Sequence, residues 1–276
     1  MDIFIAIIIG IVQGLTEFLP VSSSAHLVFV QTFFGLTQNN MAFDVLLHIG
    51  TLVAVVGYFF SDIIKMIKGF FLSIVDIFKG NFKNGLKNDP YKKLAWLVIL
   101  ATIPIGIVGV LFNDIIESLF TGVTIPVAFL LVTGTLLYFS QRYNTGNINL
   151  ENISAKEALI MGVGQSCAIL PGLSRSGTTI ASGYLAGLDK EFAAKFSFIL
   201  SIPAILGASI VEFHGIGSSF MVNFWPSILG FLAAVIAGFF AIIVLLKLIQ
   251  ERSLDIFAFY CWIVGAIILI SSLFLH

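Results

Sequence analysis

Two polar motifs stand between long apolar stretches of this chain, and both carry side chains that suit phosphate chemistry. The later motif, residues 171–179, reads PGLSRSGTT and places Arg175 between two serines. A charged side chain at bilayer depth costs roughly 2.5 to 3.5 kcal/mol, so it persists where it has a polar partner or a function. An arginine, small hydroxyls and the amides that open a helix together suit a phosphate group. The alternative interpretation is a helix N-cap whose arginine reaches the lipid headgroups.

The earlier motif contains a carboxylate that needs a partner. Gln13 and Glu17 are four residues apart, so on a helix they share one face and can address the same ligand. A buried carboxylate must be paired, protonated or bound to a cation. Glu17 could pair with Arg175, or it could hold a divalent cation, Mg²⁺ or Ca²⁺, that also contacts substrate phosphates. A salt bridge that only locks two segments together is the structural alternative.

A histidine and three serines follow this carboxylate. The serines at 22–24 could cap a helix. His26 lies three residues after Ser23, close enough to act as acid or base toward a neighbouring hydroxyl, although a lone histidine in a membrane core is more often a satisfied hydrogen-bonding residue. Asp44 and His48 share one face of the next helix and are either partners of the site or interfacial polar residues, with the second interpretation favoured.

The composition indicates an integral membrane protein of the helical type. Of the 276 residues 58% are hydrophobic and 11% charged, and the mean hydropathy is +1.05, which leaves too little polar surface for a soluble globule. The apolar runs are long and do not alternate, unlike the strands of a membrane β-barrel. The net charge of -1 gives no indication of a nucleic-acid partner. Cys167 and Cys261 lie in apolar runs and are predicted to be small core hydrophobes, without a disulfide.

The apolar runs predict six transmembrane helices and two re-entrant helical hairpins. The predicted spans are residues 43–60, 94–112, 123–140, 192–211, 224–246 and 256–274. The runs at 3–34 and 158–186 are broken by the two polar motifs, which is typical of hairpins that enter the membrane and return. The lysine-rich segment 62–93 is predicted to be cytoplasmic. With that placement every other lysine and arginine, Arg252 included, lies on the cytoplasmic side, and Arg175 is the exception. Both termini are then outside.

The two halves of the chain resemble each other and predict an inverted-topology repeat within one membrane domain. Residues 10–13 match residues 162–165, and 19–26 match 170–177, which sets Ser23 opposite Ser174. Each half, 1–140 and 156–276, has one hairpin and three spans. An odd number of crossings inverts the second copy, so the hairpins should meet near the midplane from opposite faces. Chance similarity between apolar segments is the alternative.

These motifs resemble those of the undecaprenyl pyrophosphate phosphatase family, also called bacitracin-resistance proteins. That family has an (E/Q)xxxE pattern followed by PVSS-x-x-H, which residues 13–17 and 20–26 match, and a PGxSRSGxT pattern, which residues 171–179 match. The similarity covers nearly the whole chain. One departure is Gln13, which stands where many members have glutamate and leaves fewer carboxylates for a metal.

The resemblance implies hydrolysis of a polyprenyl diphosphate to the monophosphate and inorganic phosphate. This reaction recycles the lipid carrier of cell-envelope glycan synthesis and gives bacitracin resistance. The implied enzyme is a multi-pass plasma-membrane protein whose site opens to the outer face. The implied active site contains Glu17, Ser23, His26, Ser174 and Arg175. The predicted phosphate ligands are Ser22, Ser24, Ser174, Arg175, Ser176, Gly177, Thr178 and Thr179.

Within this site Ser23 is predicted to be the nucleophile or to orient water, with His26 as acid/base, and Glu17 with Gln13 is predicted to hold the divalent cation. A transporter or flippase of a phosphorylated lipid is the competing function, because inverted repeats are common among transporters. A purely structural scaffold fits poorly with the buried polar residues. The prenyl length and the oligomeric state, a homodimer included, stay open.

Overall fold

The fold is helical throughout the part of the chain that the structure describes. A computed structural model gives residues 1–36, 41–119, 122, 124–143, 146–212, 223–251 and 253–274. The helices are α1 (Ile3–Phe18), α2 (Ser23–Phe33), α3 (Met41–Tyr58), α4 (Phe60–Phe78), α5 (Phe82–Asn88), α6 (Pro90–Leu111), α7 (Asn113–Leu119), α8 (Thr124–Tyr143), α9 (Ala155–Cys167), α10 (Arg175–Leu185), α11 (Lys190–Glu212), α12 (Phe224–Glu251) and α13 (Asp255–Phe274).

Several of these helices are long and apolar enough to cross a membrane. Helices α6, α8, α11 and α12 each qualify alone, and α3 with α4 qualifies as a pair bent by 82°. The described apolar part of α13, Asp255–Ile270, is shorter. The prediction of a multi-pass helical membrane protein is therefore confirmed, with four or five of the six predicted spans meeting the criterion of length and composition. Position 123, Arg252 and the last two residues of the chain lie outside the described ranges.

Both predicted hairpins are present as helix pairs broken at the polar motifs. Helices α1 and α2 occupy the predicted 3–34, and α9 and α10 occupy the predicted 158–186. The carboxylate of Asp2 caps α1 by accepting from the amide of Phe4 at 2.8 Å. Helix α9 begins at Ala155, three residues before the predicted start, because Ser154 and Glu157 form a capping box there.

The turn of the second hairpin depends on a glycine. Gly172 has φ +91°, in the left-handed region, and a Cβ there would lie 2.0 Å from the carbonyl oxygen of Pro126 on α8. Ser174 then caps α10 by accepting from the amide of Gly177 at 3.0 Å. The turn is therefore pressed against α8, which determines where Arg175, the first residue of α10, is placed.

The first helix of each hairpin docks on a span from the other half of the chain. Helix α1 packs on α12, and α9 packs on α6. A Cβ at Gly10 would lie 2.2 Å from the carbonyl oxygen of Gly230, and one at Gly162 would lie 2.3 Å from that of Ala101. Gly10 and Gly162 occupy matching positions in the two half-sequences. Both hairpins are thus held by backbone-to-backbone contact that tolerates no side chain.

Ion pairs tie the lysine-rich segment to the spans. Asp62 on α4 accepts from Lys195 of α11 at 2.9 Å and from the hydroxyl of Tyr91 at 2.6 Å, and Asp76 pairs with Lys92 of α6 at 2.6 Å. Helix α4 is amphipathic, and it leaves α3 at a sharp angle. The lysine-rich segment 62–93 is therefore folded into helices that pack on the spans.

The two cysteines have different surroundings, and both are free thiols. Cys261 is fully buried, as predicted. Cys167 is exposed, which makes the prediction of a core position wrong for this residue. It is the last residue of α9.

Candidate active site

A buried ion pair joins the two hairpins. A terminal nitrogen of Arg175, Nη2, donates to Oε1 of Glu17 at 2.5 Å, and the two side chains are 15% and 6% exposed. The other carboxylate oxygen, Oε2, accepts from the hydroxyl of Ser23 at 2.7 Å and from Nε2 of Gln13 at 2.9 Å. The structure thus brings together four of the residues predicted for the site, and it pairs Glu17 with Arg175 as the sequence suggested.

Serine hydroxyls connect the two turns around this pair. Ser24 Oγ accepts from the amide of Gly172 at 3.1 Å, and Ser176 Oγ donates to the carbonyl of Leu19 at 3.1 Å. Ser22 caps α2 from an unusual φ of 67° and lies 3.2 Å from Ser24, Oγ to Oγ. Of these predicted phosphate ligands, Ser24 and Ser176 therefore hold the two hairpins against each other.

The remaining hydroxyls of the second motif are mostly engaged within the protein. The amide of Ser174 donates to Thr133 of α8 at 3.0 Å, and Thr179 Oγ1 donates to the carbonyl of Arg175 at 2.7 Å and lies 2.5 Å from the hydroxyl of Ser197. Thr178 Oγ1 is buried without a hydrogen-bond partner among the described residues. Thr133 and Ser197 were not identified from the sequence, because they belong to helices remote from the motif in the chain.

Three further side chains near the hairpin motifs have buried polar atoms without a described hydrogen-bond partner. These atoms are Nη1 of Arg175, Oε1 of Gln13, and both the nitrogen and the oxygen of the Gln165 amide. Buried polar groups are almost always hydrogen-bonded, so such atoms mark places that an incoming polar group can satisfy. Arg175 therefore has one nitrogen committed to Glu17 and a second one available for an anion.

The described hydrogen bonds of His26 go to groups other than Ser23. Its Nδ1 lies 2.8 Å from the carbonyl oxygen of Ser22, and its Nε2 lies 2.7 Å from the hydroxyl of Tyr260 on α13. Among the described residues, the group in hydrogen-bond contact with Ser23 is Glu17 and not His26. Tyr260 could not be identified from the sequence, since 234 residues separate it from His26.

Comparison with known proteins decides the family. The model of the bacitracin resistance protein BacA family matches residues 6–267. The chain belongs to this family. An undecaprenyl-diphosphatase of Methanobrevibacter smithii is 62% identical over 274 residues, covering 99% of both chains. Proteins of the same name from Methanosphaera stadtmanae and Alkaliphilus metalliredigens are 49% and 43% identical, covering 99% or more of each chain.

The BacA family match confirms the resemblance that the two motifs indicated. The match extends over both hairpins and most of the spans, so the likeness is not confined to the two motifs. His48 lies within that site, with Nε2 3.7 Å from Oε2 of Glu17. The interpretation of His48 as an interfacial residue is therefore wrong. Asp44 accepts from Gln31 of α2 at 2.7 Å, which holds α3 against the first hairpin.

The site of this BacA-family chain offers few ligands for a metal ion. Among the described residues, no group of three or more histidine, cysteine, aspartate or glutamate side chains is arranged to hold one. Glu17 is the carboxylate at the centre, and the Oε1 atom of Gln13 is an oxygen without a described partner. Magnesium is often bound by one or two carboxylates together with substrate phosphates. These residues fit a cation that arrives with the diphosphate and do not form a preformed cage.

Proposed function

We propose that this chain is an integral membrane phosphatase that hydrolyses undecaprenyl diphosphate to undecaprenyl phosphate and inorganic phosphate. Membership of the BacA family and its relatives, which are undecaprenyl-diphosphatases, support the reaction and the lipid substrate. The observation that carries the proposal from the structure is the buried Arg175, which pairs with Glu17 through Nη2 and leaves Nη1 unpartnered. A guanidinium with an unpartnered donor beside buried hydroxyls suits a diphosphate.

Charge stabilisation and positioning would supply most of the catalysis, as in other phosphoryl transfers. Arg175 binds the diphosphate through Nη1, and Thr178 supplies a hydroxyl without a described partner. When the guanidinium turns toward the substrate, Glu17 loses a neighbour and becomes free to accept a proton. The hydroxyl that already donates to it is that of Ser23.

Ser23 attacks the terminal phosphorus in this scheme. A bond forms from Ser23 Oγ to phosphorus, the bond from phosphorus to the bridging oxygen breaks, and the serine proton passes to Glu17. Undecaprenyl phosphate leaves, and water then hydrolyses the phosphoserine to release inorganic phosphate. In that second step His26 takes the proton of the attacking water through Nε2, the nitrogen that does not face a carbonyl, and Glu17 returns its proton to Ser23 Oγ.

A divalent cation, Mg²⁺ or Ca²⁺, is part of the proposal. Glu17 and Oε1 of Gln13 are the residues that would hold it, together with the substrate's own phosphate oxygens. When bound, the ion neutralises charge on the diphosphate. Because Glu17 also faces Arg175, the cation is expected to bind weakly without substrate.

The inverted repeat and its orientation are also proposals. The reciprocal docking of α1 on α12 and of α9 on α6, with matching glycines at the closest points, supports two copies of opposite topology over 1–140 and 156–276. The lysines of 62–93 support a cytoplasmic position for that segment and an active site open to the outer face of the plasma membrane. A homodimer is not required to complete the site, because both hairpins come from one chain.

Phosphate release from purified undecaprenyl diphosphate in detergent tests the function. The wild-type protein should release one phosphate per lipid, and Arg175→Ala should abolish release while remaining extractable and helical. Arg142→Ala is the matched control, because Arg142 also pairs with a carboxylate, that of Asp255 at 3.1 Å, but is itself 43% exposed. Normal turnover by Arg175→Ala would refute the proposal. Movement of intact lipid across vesicles without phosphate release would support a flippase instead.

A further inference from the structure

The ring of His26 is held between two aromatic side chains. The ring of Tyr260 stacks on it with a centroid separation of 5.7 Å and an interplanar angle of 11°. Phe29, one turn further along α2, contacts the imidazole at a tilt, with centroids 6.1 Å apart. Aromatic rings prefer offset-stacked or edge-to-face arrangements, so both contacts favour the observed orientation of the imidazole. One of these contacts comes from α2 and the other from α13.

Hydrogen bonds determine which nitrogen of His26 carries the proton. The carbonyl oxygen of Ser22, 2.8 Å from Nδ1, can only accept, so Nδ1 is the protonated nitrogen of the neutral ring. Nε2 then has a lone pair, and the hydroxyl of Tyr260 donates to it at 2.7 Å. Nδ1 of His26 thus donates to the carbonyl of Ser22, and Nε2 accepts from the hydroxyl of Tyr260. Nε2 is the nitrogen able to take up a proton.

The position of Tyr260 is itself anchored to the first hairpin. The neighbouring residue, Cys261, is fully buried and its thiol donates to the carbonyl of Pro20, in the turn between α1 and α2, at 3.6 Å. Trp262 donates to the carbonyl of Leu131 on α8 at 3.2 Å. Helix α13 is therefore held against both the turn and α8, and its tyrosine is presented to His26 by a fixed backbone.

We propose that Tyr260 is a positioning residue for hydrolysis, one that keeps His26 in the Nδ1–H tautomer with Nε2 directed at a fixed point. This inference rests on the proposed function, because it assigns Tyr260 to the acid/base group of that reaction. Tyr260 itself touches none of Glu17, Ser23 and Arg175 in the described contacts, so it acts through His26. The carbonyl of Ser22 at Nδ1 occupies the place of the carboxylate that orients a catalytic histidine in other hydrolases, and Tyr260 fixes the direction of the opposite nitrogen.

Steady-state kinetics with undecaprenyl diphosphate, combined with nitrogen NMR of histidine-labelled protein, test this inference. Tyr260→Phe keeps the stacked ring and removes the hydroxyl, whereas Tyr260→Leu removes both. We expect kcat to fall roughly tenfold in the first variant and further in the second, with KM within about twofold, because acid/base catalysis as a whole contributes 10²–10⁴-fold. Tyr143→Phe is the matched control, because it removes the hydroxyl of a tyrosine that is 68% exposed at the end of α8, and it should keep wild-type kinetics.

The NMR measurement reports the contact without depending on turnover. Wild-type His26, assigned by its loss in His26→Gln, should show an unprotonated but hydrogen-bonded Nε2, and Tyr260→Phe should move this resonance toward that of a free imidazole nitrogen. Unchanged kcat, an unchanged resonance, or a rise in KM that accounts for the lost activity would each overturn the inference. Wild-type protein that releases no phosphate but shows the expected resonance would refute the proposed function and leave the His26–Tyr260 contact standing.

Discussion

Removing one member of the Glu17–Arg175 pair should cost far more stability than removing both. The two groups are in contact at 2.5 Å, and the carboxylate is 6% exposed. Breaking a buried ion pair by deleting one partner costs about 3 to 5 kcal/mol, and a lone charge at bilayer depth costs a similar amount on the insertion scale. We therefore expect Arg175→Met and Glu17→Gln each to lose about 3 kcal/mol of unfolding free energy. The double variant should lie within about 1 kcal/mol of the wild type.

The measurement is unfolding in mixed micelles with increasing sodium dodecyl sulfate, followed by circular dichroism and by the fluorescence of the three tryptophans. The four proteins form a double-mutant cycle, whose coupling energy isolates the pair. Phosphate release should be absent from all three variants, so that stability recovers in the double variant while activity does not.

Arg142 and Asp255 supply the control cycle. Their side chains are 43% and 30% exposed, so removing either should cost about 1 kcal/mol or less, and the coupling should be small. Additive losses at Glu17 and Arg175, or a single variant as stable as the wild type, would show that the carboxylate does not need the guanidinium. It would then be wrong to describe Glu17 and Arg175 as two charges that stabilise each other at the centre of the site.

Three other predictions concern packing, orientation and the metal. Gly10→Ala should reduce the yield of folded protein sharply, since the added Cβ would overlap a carbonyl oxygen of α12. Gly57→Ala is the control and should keep the yield, because no neighbouring atom lies within 4 Å of the Cβ added there. Equal yields from the two variants would contradict the docking of α1. In a cysteine-free background, Lys83→Cys should react with an impermeant maleimide only in inverted vesicles and Thr124→Cys only in right-side-out ones; the opposite pattern would reverse the proposed topology. Chelation should lower phosphate release, and Gln13→Glu should lower the Mg²⁺ concentration for half-maximal activity; no response of either would argue against a metal held beside Glu17.

Much of the fold could be predicted because the relevant signals are local. The hairpins are recognisable where short apolar runs meet PVSSSAH and PGLSRSG, and their helices begin where serines cap them. The pairing of Glu17 with Arg175 could also be anticipated, because each charge needs a partner at bilayer depth. Spans were predicted to within a few residues, since apolar length determines them.

What could not be predicted depends on the way remote helices pack. His48 and Asp44 share a helix face, but nothing in their spacing says that this face meets the first hairpin. Tyr260 reads as one more aromatic residue of the last apolar helix until α13 is placed beside α2. The 82° bend between α3 and α4 has no proline or capping side chain to announce it. These features arise from tertiary contacts, which a single sequence does not display.

The contact that closes the site spans 158 residues of chain. During synthesis Glu17 therefore enters the bilayer long before the ribosome has made Arg175. Until then the carboxyl group of Glu17 lacks its arginine partner. Maturation of the pocket is accordingly a late, post-insertional event, and the two halves expressed as separate polypeptides should recover phosphate release only when produced together.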